Sequence, residues 1–512
     1  MIYSFSTFGY EGSLISVESD IRRGIPCIDI VGLADGQIKE SRERMQSAIR
    51  NSGIEFPTER VLIALSPADL KKEGTSFDLP LALSVITSNE KKELPQDTLV
   101  MGELELSGNI RQVRGIYAGV KTALSSGIKN FIIPSNNFNE VKEIYGIRIL
   151  KADNLSEVYS KMYDQSNYIE TVPDTKKEIS EHEEVVNGIV FNNQYYVESS
   201  YDLKRMNPRL LKALAIAISG HHHLIGYGKP GNGKTCTTQF AQFFTPNLTN
   251  EESQETTRIY SLSGLLSPTS PMVKNPPFRI PHQTATIEGM CGGGPHCRPG
   301  EVSLSHNGIL FLDEMAEFRN SVIQMLRVPM ESKRITLSRA GRSTIYPSNF
   351  TLIGMTNPCP CGNYGNEERI CLCSAKSLEM YWRKFSSPLL DRTLIIDTDY
   401  RSPKDEENYY TLSDLRKMVA NATVIQRKSG KYNGDLTPLE IDEYAKKQSE
   451  TVQNVAEELC EVLETPRRIA MLWKVAKTVA NLDNRENLTV EDLNESYQLC
   501  KNFSLIELSL TA

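Results

Sequence analysis

A chain of 512 residues exceeds what one hydrophobic core organises and should divide into about three domains. Its 39% hydrophobic and 24% charged residues are ordinary for a soluble globular protein, and neither a bilayer-spanning apolar run nor a basic-then-apolar leader follows Met1, so no membrane partner and a cytoplasmic address are expected. A net charge of -7 excludes a globally cationic surface, which leaves nucleic acid only a local patch or an assembled channel.

Residues 1–163 alternate strand-like runs (Arg60 to Leu65, Phe131 to Pro134) with helical ones (Lys39 to Asn51, Phe77 to Thr87), the pattern of a compact α/β or α+β domain. Two blocks within it, Ser66 to Pro80 and Gly102 to Tyr117, resemble the proteolytic domain of Lon-type proteases. The resemblance places Ser76 at the nucleophile and puts Tyr117 where the lysine base belongs. A serine with no group to take its proton is a poor nucleophile, so a Lon-like fold without peptidase activity is expected, with Ser76 serving as a helix cap before Phe77. Residues 164–195 turn polar and acidic and read as an interdomain linker, ending in the solvated run Glu181 to Glu184.

An ATPase domain is expected over 196–400. A helix from Arg205 to Ser219 stops at Gly220 and is followed by His221, His222 and His223, which cannot share one face and so do not suggest a metal site. Gly228 to Thr235 then fits GxxxxGK[ST]. Gly228, Gly231, Asn232 and Gly233 let the backbone wrap phosphate oxygens, Lys234 adds a point charge, and the Thr235 hydroxyl suits Mg²⁺, so ATP with magnesium is the expected ligand. Gly308 to Glu314 is an apolar strand ending in two carboxylates, Asp313 for Mg²⁺ and Glu314 for the attacking water. The strand Phe350 to Thr356 ends at Asn357, which suits holding that water. Arg392, after Ser387-Pro388-Leu389-Leu390-Asp391, is the candidate arginine finger toward a neighbouring subunit, and Arg467, in the first turn of the helix opened by Thr465-Pro466, the candidate second sensor.

Arg327, Lys333, Arg334, Arg339 and Arg342 carry five positive charges against Glu331 on an expected strand, turn at Gly341, and strand. Repeated around a ring, such a hairpin would line a pore for DNA backbone, with Lys333, Arg334, Arg339 and Arg342 as the candidate contacts. Cys359, Cys361, Cys371 and Cys373 read as CxC, nine residues, CxC. Four thiolates can close a zinc site, but the usual knuckle is CxxC and CxC strains the bite; packed reduced thiols are the alternative. Residues 401–512 read as a helical lid, with capping signals at Thr437 and Thr489.

Phosphate loop, Asp-Glu strand, sensor Asn and Pro-Leu-Leu-Asp-Arg occur in AAA+ order. With Pro277 to Ala285, Gly292-Gly293-Gly294, Arg298 to Glu301 and Asn357 to Gly362, the chain resembles the magnesium-chelatase-like YifB/ComM family. Gln283 stands where a second His is usual, and Lys229 where a Pro is usual. The resemblance implies an α/β AAA+ core with a parallel sheet, a Lon-like α+β domain and a helical lid. It also implies a homo-oligomeric, hexameric ring, and a DNA helicase of branch migration; the alternative is a chelatase-type motor acting on a protein partner.

Overall fold

The computed structural model describes residues 1–172 (except 34, 71 and 73), 182–193, 203, 206–267, 272–339, 342–365, 369–399, 409–463 and 465–501. At its centre five short strands form one sheet: β1 (His223–Tyr227), β2 (Phe278–Arg279), β3 (Ile309–Leu312), β4 (Thr351–Thr356) and β5 (Thr393–Asp397). Their order is β2-β3-β4-β1-β5 and every neighbouring pair is parallel. A parallel sheet covered on both faces needs strands that are apolar throughout, and β3 and β4 are buried at every residue. One face packs on the helix Pro208–Gly220 and the C-terminal helices, the other on Met315, Val322, Trp382 and Leu389.

The N-terminal 172 residues fold around a mixed eight-stranded sheet. Ile2–Ser6 lies near its middle, antiparallel to Ser13–Arg22 and parallel to Thr98–Val100. Side chains alternate between two cores: Ile132 and Leu150 face the helices Gly36–Asn51 and Asp78–Glu90, while Phe131, Ile133 and Ile149 face the helix Ile116–Ser125. Here the expected cap fails. Ser76 sits inside the 3₁₀ turn Thr75–Phe77, and the helix begins at Asp78 with no side-chain cap bond. Instead the buried Asp78 carboxylate accepts from Arg44 Nε at 2.8 Å and from the Leu104 amide at 3.2 Å, anchoring the helix start to its neighbours.

The expected tether is structured at both its ends. Ile169–Glu170 adds a last strand to the N-terminal sheet, and Glu183–Val186 pairs with Ile189–Asn192 in a hairpin whose Phe191 is buried against the ATPase core. The buried Arg416 clamps this hairpin through Glu184 and the Asn193 side chain. Residues 173–181 and 194–195 of that stretch, Glu181 among them, lie outside the described residues.

Beyond residue 409 the fold is helical: Leu412–Ser429, Pro438–Ala445, Glu450–Leu463, Pro466–Leu482 and Val490–Cys500. Capping boxes at Thr411, Thr437 and Thr489 start three of them, each cap contributing about 1 kcal/mol.

The N-terminal domain rests directly on the ATPase core. Arg258 lies over the Tyr10 ring, 4.7 Å from its centroid, and the Tyr10 amide donates to Thr344 Oγ1 at 2.9 Å. Tyr346 and Leu262 join the core around Phe5 and Tyr117. Tyr117, where a Lon-type base would stand, is buried in that junction, and desolvation pushes its phenol well above the ordinary value. It is a packing residue of this junction.

Candidate functional site

The strand register gathers the site. Tyr227 pairs with both Thr356 and Asp397, and Leu312 with Gly354, so the carboxyl ends of β1, β3, β4 and β5 share one edge of the sheet. Onto that edge fall the phosphate loop, Asp313-Glu314, Asn357 and Asp399. Open parallel sheets bind ligands at this edge.

The loop 228–233 turns between β1 and the helix Lys234–Phe240. Gly231 and Gly233 have φ of +84° and +70°, so glycine is required where the amides turn inward. Lys234 Nζ donates to the Gly228 and Lys229 carbonyls at 2.6 and 2.7 Å, and burial lowers its pKa against the opposing pull of Asp399, Asp313 and Glu314. Thr235 Oγ1 lies 3.2 and 3.0 Å from the two Asp313 carboxylate oxygens. Adjacent ligands of an octahedral Mg²⁺ lie about 2.9 Å apart, so this pair fits one ion.

Glu314, two residues past the strand end at Leu312, adopts a left-handed φ of +49°, and Gln283 Nε2 donates to its carboxylate at 2.6 Å. Gln283, noted in the sequence only as a departure from Pro-His-His-Thr, thus holds the candidate base. Asn357 lines a small cavity with Glu314, Thr356 and Tyr381, and its backbone carbonyl accepts from the Tyr381 hydroxyl at 3.0 Å. Asp399 was not foreseen. It accepts from the Lys229 amide at 2.7 Å and from Asn232, tying the loop to the end of β5. No local motif marks it, since only the β1–β5 pairing brings it there.

Arg392 and Arg467 lie at the other edge. Arg392 precedes β5, whose first residue Thr393 pairs with His223. One strand length, about 16 Å for five residues, therefore separates Arg392 from its own phosphate loop. Its Nη2 donates to Glu331 Oε2 at 2.5 Å, and Arg467 Nη2 is 3.6 Å from Glu331 Oε1. The Arg392 guanidinium holds the Glu331 carboxyl below its ordinary range. Arg467 therefore lies beside Arg392, away from the phosphate loop of its own chain, because the helix Pro466–Leu482 packs beside the amino ends of the strands. The buried Arg468 explains that placement: its Nε lies 3.3 Å from Asp391 Oδ1 and its Nη2 donates to the Leu390 carbonyl at 3.0 Å, locking the helix to the turn that presents Arg392.

A cavity of about 430 Å³ at this edge is lined by Glu331, Arg392, Arg467 and the three histidines. His221 stacks on Tyr432 at 3.5 Å between centroids, His222 Nε2 lies 2.9 Å from Thr478 Oγ1, and His223 Nδ1 accepts from the Leu352 amide. Each ring therefore has a partner of its own. Burial lowers their pKa values to about 4, 3 and 4. Because each folded value lies below the unfolded value of about 6.5, the unfolded chain binds more protons as pH falls. The contribution of these histidines to stability should therefore be lost from about pH 6.5 down to about pH 4 for His221 and His223 and about pH 3 for His222. His222→Gln should reduce the drop in melting temperature between pH 7 and pH 5; an unchanged drop would remove His222 from that account.

Of the basic segment, Arg327 starts a helix (Arg327–Ser332), and Lys333 caps it with φ +54° and pairs with Asp435 of the helical region. This corrects Lys333 as a hairpin contact: its ammonium is already engaged away from the strands. Arg334–Arg339 and Arg342–Pro347 do form an antiparallel hairpin with Arg334 and Arg339 exposed; the turn at Gly341 lies outside the described residues. Cys359, Cys361, Cys371 and Cys373 converge, their sulfurs all within 4.8 Å of one another, the one His/Cys/Asp/Glu cluster of metal-binding geometry among the described residues. No described helix is long and apolar enough to cross a membrane.

Comparison with known proteins agrees with this architecture. Residues 205–406 match the family of magnesium chelatase, subunit ChlI, residues 17–137 match subunit ChlI of Mg-chelatase, and residues 411–499 match the ChlI C-terminal family. The uncharacterized protein YifB of Escherichia coli is 33% identical over 97% of this chain and 96% of its own length. Competence protein ComM of Haemophilus influenzae is 30% identical over the same shares. An archaeal Lon protease of Methanocaldococcus jannaschii is 26% identical over 30% of the chain and 23% of its own length, in keeping with a Lon-like N-terminal domain. Sequence, sheet order and phosphate-loop edge converge on one assignment: the chain belongs to the magnesium-chelatase-like YifB/ComM family of AAA+ ATPases.

Proposed function

We propose that the chain is a magnesium-dependent ATPase working as a hexameric ring of identical subunits, and that it drives DNA as a helicase of branch migration during recombination of incoming strands. The observation that carries the reading is the division of charged groups between two edges of one sheet. Lys234, Thr235, Asp313, Glu314 and Asn357 occupy one edge, and Arg392 with Arg467 the other. Among the described residues, a single subunit so arranged brings neither Arg392 nor Arg467 to its own phosphates, whereas a head-to-tail ring would bring them from the next subunit.

In this reading Thr235 and Asp313 would hold Mg²⁺, which would supply charge compensation to the phosphates when bound. The loop amides and Lys234 bind the triphosphate, Glu314 accepts the proton of the attacking water, and Asn357 orients that water. Gln283 keeps the Glu314 carboxylate in place. The name of the Haemophilus relative, a competence protein, supports incoming DNA as the substrate.

The exposed Arg334 and Arg339, with Arg342 on the paired strand, are the proposed contacts to DNA phosphates, held in place by the junction of Thr344 and Tyr346 with Tyr10. Changing Arg334 and Arg339 to Glu should weaken DNA binding at least tenfold and lower the slope of log K against log salt by about 1 per residue. Unchanged affinity and slope would remove the hairpin from the DNA path. The overall reading is tested by ATP turnover with single-stranded, double-stranded and branched DNA: stimulation, greatest on the branched form, is expected. Turnover indifferent to all three would favour the chelatase-type motor acting on a protein partner.

A further inference from the structure

The segment between β4 and the helix Ala375–Trp382 carries four cysteines whose arrangement the ATPase reading does not use. Cys359 and Cys361 sulfurs lie 3.4 Å apart, Cys359 and Cys371 3.7 Å, and Cys361 and Cys371 3.5 Å, all as free thiols. The edge of a zinc tetrathiolate tetrahedron with Zn–S of about 2.3 Å is about 3.8 Å. Tight as the CxC spacing is, the Cys359 and Cys361 sulfurs already lie 3.4 Å apart, and the turn just after them has Gly362 at φ +76°, which a side chain would strain. The Tyr364 amide donates to Cys359 Sγ at 3.3 Å, the kind of contact that orients a metal thiolate.

Packing alone does not account for this. Ile370 and Leu372, flanking Cys371, are 83% and 89% exposed, while the four sulfurs converge on one another, Cys359 buried, Cys371 and Cys373 half-buried and Cys361 exposed. Hydrophobic burial would select the opposite facing, since Ile and Leu gain more than a thiol by leaving water. Chain direction is being set by the sulfurs.

We propose that Cys359, Cys361, Cys371 and Cys373 hold one zinc ion as a tetrathiolate, and that this ion braces the loop leaving Asn357 against the phosphate loop. A Cβ at Gly362 would come within 2.7 Å of Pro230 Cγ, so the cysteine loop and the phosphate loop are in direct contact. On its other side, Trp382 Nε1 donates to the Pro358 carbonyl at 3.1 Å and the Tyr381 hydroxyl to that of Asn357. The ion closes the free side of this segment, two residues beyond Asn357. The bracing role rests on the nucleotide-site reading; the metal site stands apart from it.

Protein produced with zinc in the medium and purified without chelators should carry about one zinc per chain by elemental analysis. Cobalt(II) bound in its place should show the strong visible bands and sulfur-to-metal charge transfer of a tetrahedral tetrathiolate. Cys361→Ser with Cys371→Ser should lose both signals. Stripping zinc from the unmutated protein should weaken binding of a fluorescent ADP analogue about tenfold, and adding zinc back should restore it. Less than about a tenth of a zinc per chain with no cobalt spectrum, or iron in place of zinc, would overturn the site, whether or not the double variant folds. Full zinc occupancy with nucleotide binding indifferent to stripping would overturn the bracing role. A protein that holds zinc but binds no nucleotide would refute the ATPase reading instead.

Discussion

Glu314→Gln should bind ATP with the affinity of the parent protein and hydrolyse it 10²- to 10⁴-fold more slowly, the range a positioned general base contributes. The substitution keeps the shape of the side chain, and its amide oxygen can still accept from Gln283 Nε2, now 2.6 Å from the carboxylate. Neither Thr235 nor Asp313 changes, so the pair fitted to Mg²⁺ is undisturbed. Only the capacity to take a proton is lost. Phosphate release and equilibrium binding of a nucleotide analogue measure the two quantities separately. Turnover within tenfold of the parent, or binding lost together with turnover, would reject Glu314 as the base.

Arg392→Ala should lower turnover by 10³- to 10⁵-fold, the worth of an arginine finger, with the fold retained. The ion pair it removes joins a Glu331 side chain that is 61% exposed to an Arg392 that is 14% exposed and also donates to the Pro388 carbonyl; losing both contacts should cost about 1–3 kcal/mol, which a typical domain survives folded. Loss of one residue's activity does not by itself say which subunit's nucleotide it serves. Mixing Arg392→Ala with Lys234→Ala protein decides that. Each is inactive alone, yet wherever an intact finger meets an intact loop across an interface, turnover returns, at about one site in four for random assembly. A mixture that stays inactive although the two proteins co-assemble would mean that Arg392 does not act between subunits.

Much of the site could be read without coordinates because its parts are local. A phosphate loop needs glycines, a lysine and a hydroxyl within eight residues, and a buried strand tipped by Asp313 and Glu314 shows itself as an apolar run with two charges at its end. The capping boxes at Thr437 and Thr489 are likewise four-residue patterns, and both formed. What misled was chemistry decided by distant partners. Ser76 has the residue type of a cap, but Asp78 took over the helix start through Arg44. Lys333 belongs by sequence to the basic row, but the left-handed turn that ends its helix aims it at Asp435, about a hundred residues on.

The amino-acid order alone determined the family, the phosphate-binding chemistry and the carboxylates that serve it, because each is written in contiguous residues whose backbone conformation they themselves favour. Tertiary structure alone decided that Asp399 ties down the loop, that Gln283 holds Glu314, that Arg392 and Arg467 meet at Glu331 on the far edge, and that four cysteine sulfurs converge beside Pro230. These depend on strand order and register in a parallel sheet. Pairing at long sequence separation sets them, and no window of neighbouring residues encodes it.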